Sequence, residues 1–124
     1  MSASAVLWRE QRNVPEVPSP LFYRDRVYTI ANGGVVSCMD AADGRLLFRG
    51  RVGAPGPYFS SPVAAGGKVY VVSADGVVTV LAAGESLKVL SSNDLSEPVY
   101  GTPALVGSAV YVRSLNNLWS FETR

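Results

Sequence analysis

Histidine is absent from this 124-residue chain and cysteine occurs once, at Cys38. Without histidine there is no zinc-finger spacing and no His-based general base, and a lone cysteine makes no intrachain disulfide. Charge is scarce too, at 17% of residues, and nearly balanced at a net +1, which removes the electrostatic footprint of a nucleic-acid or anionic-membrane binder. No apolar run is long enough to span a bilayer, and Met1–Glu10 lacks the charged and apolar regions of a secretory signal. The Ala/Leu/Glu/Lys-rich runs of helices are missing as well. No nucleic acid and no membrane are therefore expected among the partners, and the compartment is left open.

Present instead are 12 Gly, 8 Pro, 6 Tyr and many Val, a composition of short strands joined by tight turns. The decisive pattern is a repeat. Ser19-Pro20, Val27-Tyr28, Gly34 and Val35-Val36 recur 42 residues later as Ser61-Pro62, Val69-Tyr70, Gly76 and Val77-Val78. A further 41 residues on stand Thr102-Pro103, Val110-Tyr111, Asn117 and Leu118-Trp119, with no gap inside a copy. Another proline, Pro15, Pro57 and Pro98, precedes each Ser/Thr-Pro. Repeats of about 40–45 residues with several strands each indicate propeller blades, sheets that bury their faces only against neighbours.

The expected fold is all-β: about three four-stranded antiparallel blades, one divided between the ends of the chain. The strands of a copy are Pro20–Tyr23, Arg26–Ala31, Val35–Asp40 and Arg45–Arg51; then Pro62–Ala65, Lys68–Ser73, Val77–Ala82 and Leu87–Ser92; then Pro103–Val106, Ala109–Ser114 and Leu118–Thr123. Asn32-Gly33-Gly34, Ala74-Asp75-Gly76 and Leu115-Asn116-Asn117 are the expected left-handed hairpin residues. Val6-Leu7-Trp8-Arg9 matches Leu46-Leu47-Phe48-Arg49, so residues 5–12 read as an orphan outer strand. Residues 19–53 and 61–95 are whole blades, and 102–124 are the three inner strands of the split one.

These residues resemble the quinoprotein-like (PQQ-like) β-propeller repeat family. Its Val-Tyr, Gly turn, Asp and Asp-Gly turn appear as Val27-Tyr28, Gly34, Asp40 and Asp43-Gly44. The docking Trp of that pattern is kept at Trp8, with Phe48 and Leu90 in its place in the two whole blades. Quinone-using members resemble one another in a longer ring, a vicinal Cys pair, a calcium site and a catalytic Asp. The resemblance does not extend to those features here, so no cofactor, metal or catalysis is expected, and the motif speaks for fold rather than function.

Single residues sort accordingly. Cys38 aligns with Val80 and Phe121 and reads as a small buried hydrophobe. Tyr28, Tyr70 and Tyr111 read as packing between blades, and Arg45, Arg49 and Arg51 as a solvated face. Arg113 stands where the other copies have Ile30 and Val72. A ligand face is expected where the loops joining blades meet the hairpins: Tyr58, Phe59 and Tyr100 as an aromatic rim, with Asn32, Asp75, Asn116 and Arg113 beside it.

Three blades leave two sheet faces and the edges of the split blade uncovered. The chain is thus expected either to be the C-terminal part of a longer propeller, an enzyme or sensor with its active site elsewhere, or to close with copies of itself. A homodimer would have six blades and a homotrimer nine. Val6, Leu7, Trp8, Trp119 and Phe121 are the expected contacts of interchain closure. The function expected is that of a non-catalytic scaffold or interaction module.

Overall fold

In the computed structural model, described here for residues 6–122, eleven strands form three antiparallel sheets, with no helix among those residues. The first sheet is β1 (Leu21–Tyr23), β2 (Arg26–Ala31), β3 (Val35–Asp40) and β4 (Leu46–Arg51), hydrogen-bonded in chain order. The second repeats it with β5 (Val63–Ala65), β6 (Lys68–Val72), β7 (Val77–Ala82) and β8 (Val89–Asp94). The third has β9 (Ala104–Val106), β10 (Ala109–Arg113) and β11 (Leu118–Glu122), with β10 in the middle. The all-β, blade-like reading holds. Thr123 lies outside the described residues.

Alternation along each strand sends side chains to opposite faces. Tyr28, Ile30, Val36 and Cys38 of the first sheet meet Val69, Val71 and Leu81 of the second in one buried seam. The other face of the second sheet, with Tyr70, Val72, Val78 and Val80, meets Val110 and Val112 of the third. Each interior sheet face is therefore covered by the next repeat, which is why no one repeat forms a core of its own.

The recurring spacing of Ser/Thr-Pro has a direct physical cause within this chain. The backbone N–H of Ser19 donates to Ser61 Oγ at 2.8 Å, and that of Ser61 donates to Thr102 Oγ1 at 2.9 Å. One hydroxyl per repeat thus accepts the amide of the repeat before it. Gly34 and Gly76 have a related role. The carbonyl of Ala54 or Glu97 crosses so near that a Cβ would lie 2.5 or 2.0 Å from its oxygen, and both glycines have positive φ.

Two registers differ from the gapless repeat. The third hairpin is one residue shorter: Arg113 pairs with Leu118, whereas Val72 pairs with Val78 across one more residue. A one-residue change moves the following side chains to the other face. Cys38 and Val80, opposite Tyr28 and Tyr70, therefore correspond to Ser120 opposite Tyr111, and not to Phe121. None of Leu115, Asn116 and Asn117 has positive φ, and neither do Asn32, Ala74 and Asp75; only Gly33, Gly34 and Gly76 of these hairpins do.

In the second sheet the turn before β8 is one residue longer. Ala82 N–H bonds Lys88 O, where Asp40 N–H bonds Arg45 O, and β8 starts at Val89 rather than Leu87. Leu87 packs into the first seam instead, against Gly50. The residue matching Phe48 is consequently Ser91, opposite Val80, and not Leu90.

Residues 6–12 form no strand within the chain. They lie on the outer face of the first sheet, where the Trp8 indole rests on Gly44 and donates to Ala41 O at 2.9 Å. Arg49 does not sit on a solvated face. Its guanidinium donates to Ser37 Oγ at 2.8 Å and to Arg12 O, and pairs with Glu10 at 3.4 Å.

Candidate functional site

The expected ligand rim separates into a buried part and an exposed part. Tyr58 is 0% exposed and belongs to the first seam; its hydroxyl donates to Ala54 O at 2.6 Å. Burial pushes that phenol up to about 12, so it stays protonated and structural. Tyr58 is withdrawn from the rim, because its loop folds inward to close the seam. Asn32 is spent on the same purpose, its Oδ1 accepting the Tyr58 N–H at 2.9 Å.

Phe59 and Tyr100, which occupy one repeat position, do reach the surface and stand 5.9 Å apart as a tilted pair. Tyr100 also borders a cavity of about 240 Å³ with Pro98, Thr102, Arg113 and Leu115. Asp75 is exposed at its hairpin near Gly56, away from that cavity's lining. Asn116 serves the fold: its Nδ2 donates to Glu97 Oε2 at 3.1 Å.

Glu97 is the residue that sequence reasoning missed. Its carboxylate also accepts from Ser114 Oγ–H and from Asn117 Nδ2–H at 3.0 Å. These donors hold its pKa down to about 2, Ser114 foremost. The Trp119 indole donates to the same Ser114 Oγ at 2.8 Å. Glu97 replaces the turn bonds that the shortened hairpin lacks. Its only signal was the Asn116-Asn117 pair without glycine.

Of the closure residues, Trp119 and Phe121 face inward, packed on the second sheet within the chain. That is a correction, and the short hairpin causes it by reversing which side chains of β11 face forward. Val6, Leu7 and Trp8 remain at the outer face of the first sheet, Leu7 being 83% exposed. Around Trp8 lies a mostly apolar cavity of about 290 Å³, walled by Pro15, Pro18, Val27 and Met39. At the far end of the molecule Tyr111 is half-buried, while Arg113 and Leu118 are exposed on the uncovered face of the third sheet.

Among the described residues no three of His, Cys, Asp and Glu are grouped to hold a metal ion. Cys38 is buried, and burial pushes its thiol up to about 11, the reverse of an activated nucleophile.

Residues 3–89 match the family model described as outer membrane protein assembly factor BamB. The chain belongs to this PQQ-type propeller repeat family. Among solved structures it is similar to BamB from Moraxella catarrhalis, with 22% identity and a TM-score of 0.74, over 94% of this chain and 36% of that one. It is equally similar in fold to the quinohemoprotein alcohol dehydrogenase ADHIIG from Pseudomonas putida HK5, at 19% identity and TM-score 0.76, over 94% of this chain and 20% of that one. A europium-containing methanol dehydrogenase matches at 16% identity and TM-score 0.68, over 84% of this chain and 22% of its own. No curated protein matches in sequence. The chain thus spans about a third or less of these structures, and one propeller fold serves both an assembly factor and dehydrogenases.

Proposed function

We propose that this chain is a non-catalytic propeller scaffold that closes its ring with a second copy, giving six blades. One observation carries the reading. The Trp8 segment is seated on the outer face of the first sheet without a strand partner of its own, while β11 carries no strand on its outer side among the described residues. The two halves of one blade stand at opposite ends of the molecule. Strand addition from a neighbouring copy satisfies the backbone groups of such an edge. Cys38, buried with its thiol pushed up to about 11, offers no activated nucleophile, which supports the non-catalytic part.

Size-exclusion chromatography with light scattering tests the reading: a dimer is expected, and a stable monomer overturns it. Deleting residues 1–11 is expected to abolish assembly.

A second reading is favoured by the small share of the matched structures that the chain spans. On it, the chain is part of a longer propeller, an enzyme or sensor whose active site lies in other blades. Titrating the purified chain with calcium and with the quinone separates the two, since tight binding of either speaks for the enzyme.

A further inference from the structure

We infer that residues 6–10 of a second copy add to β11 in one specific register, with Trp8 opposite Ser120, Arg9 opposite Trp119 and Glu10 opposite Leu118. The inference rests on the homo-oligomer reading and goes beyond it by naming the pairing and the charges that select it.

The first sheet supplies the register. There Cys38 pairs with Phe48, Ser37 with Arg49 and Val36 with Gly50, while Met39 pairs with Leu46 across a bulge at Leu47. Val6-Leu7-Trp8-Arg9-Glu10 aligns with Leu46-Leu47-Phe48-Arg49-Gly50 at an offset of 40, with Glu10 in place of Gly50. The hairpin register makes Leu118, Trp119, Ser120 and Phe121 the counterparts of Val36, Ser37, Cys38 and Met39. Joining the two correspondences fixes each opposite pair, with the exposed Leu7 in the bulge.

Two cross-strand rows then become complementary. In the first sheet the row Tyr28–Cys38–Phe48 holds two rings 6.3 Å apart across a small residue. The new row Tyr111–Ser120–Trp8 repeats that pattern: ring, small residue, ring. The second sheet, whose outer residue is Ser91, has the larger Val80 in the middle. Small central residues thus accompany outer aromatics, and Ser120 suits Trp8.

The other row carries charge. Its counterparts are Ile30–Val36–Gly50 and Val72–Val78–Asn93, with no ionised side chain. The split blade alone has Arg113 at one end and Glu10 at the other, flanking Leu118. Two strand spacings place their backbones about 10 Å apart, a distance that an extended Arg and a Glu close over the leucine. Both side chains point toward the first sheet of the second copy, where Glu10 already meets Arg49. Glu10 then lies between two guanidinium groups. The axial ladder closes in the same sense: one more step places the Thr102 N–H on Ser19 Oγ of the second copy, as Ser61 N–H lies on Thr102 Oγ1. A second copy is the occupant because only this chain's own N-terminal segment supplies the matching Trp8 and Glu10.

A double-mutant cycle on the dimerisation constant tests the charge row. Glu10→Gln and Arg113→Gln are each expected to weaken the dimer about tenfold, and the double variant no further than the stronger single one. Because Glu10 also contacts Arg49, only the coupling with Arg113 is diagnostic. Register is read by mixing Glu10→Cys with Leu118→Cys chains and oxidising them. A covalent heterodimer is expected, and its loss when Ser120→Cys replaces Leu118→Cys. A dimer with additive variants, or with the cross-link at Ser120→Cys, overturns this pairing and leaves the homo-oligomer reading intact. A monomer at all concentrations overturns both.

Discussion

The two seams between sheets are built from the same repeat positions, yet they draw their aromatic bulk from opposite sides. In the first, the leading repeat provides it through Phe48 and Tyr58. In the second, those positions hold Ser91 and Val99, and the following repeat provides Trp119 and Phe121. Where the first seam has tyrosine bonded within its own loop, the second has Glu97 clamping the neighbouring hairpin. A repeat protein therefore needs complementarity between neighbours rather than identity within each copy. Deficits remain on both sides. A cavity of about 180 Å³ lined by Tyr70, Val80, Ser91 and Phe121 marks the missing aromatic of the second seam. In the first, Thr79 Oγ1 is the buried side-chain polar atom without a hydrogen bond among the described residues.

The largest effect that would break this comparison is expected at Tyr58. Tyr58→Ala should cost about 3–5 kcal/mol, and Val99→Ala roughly half as much, in urea unfolding. Equal losses would mean that the two seams do not differ in where their packing is concentrated. Ser91→Phe should fill the second seam and raise stability by about 1 kcal/mol, read as a higher urea midpoint. If it lowers the midpoint instead, Trp119 and Phe121 already complete that packing.

Thr79→Val removes the orphaned hydroxyl at nearly constant shape and is expected to gain about 1 kcal/mol. In the equivalent place Ser37 Oγ accepts from Arg49, so Ser37→Val should be destabilising. Opposite signs for the two variants are the check. The smallest effect concerns pH. Glu97 is held at about 2, below its ordinary value of 4.5, so its clamp contributes fully above pH 4.5 and is lost as pH falls toward 2. Thermal midpoints of the chain should fall across that window by a few degrees more than those of Glu97→Gln. Parallel curves would remove Glu97 from the account of the second seam.

Much of this was legible in the residues because a repeat carries its own alignment. Ser61-Pro62, Val69-Tyr70 and Gly76 announced blades, and β2, β3 and β7 run as the pattern predicts. The buried Cys38 and the bonded hydroxyls of Tyr28 and Tyr70 also follow from recurrence at interior positions. The candidate site was less legible. Tyr58 and Phe59 are adjacent aromatics in one loop, and only the fold shows that one closes a seam while the other meets Tyr100. Glu97 left only the glycine-free Asn116-Asn117 pair as a signal, because its partners Ser114 and Asn117 are distant in sequence and join it through a hairpin whose length composition does not report.

The sequence by itself determined the three strand-rich repeats and the Ser/Thr hydroxyls that link them. Those depend on local turn chemistry and on the period of alternation, which are written along the chain. Only the tertiary structure decided which way each side chain faces. A hairpin one residue shorter, before Leu118, reverses every side chain of β11, and a turn one residue longer, before Val89, replaces Leu90 by Ser91 at the seam. Because strand side chains alternate with a period of two, one residue is the smallest possible change and also the one that exchanges inside for outside.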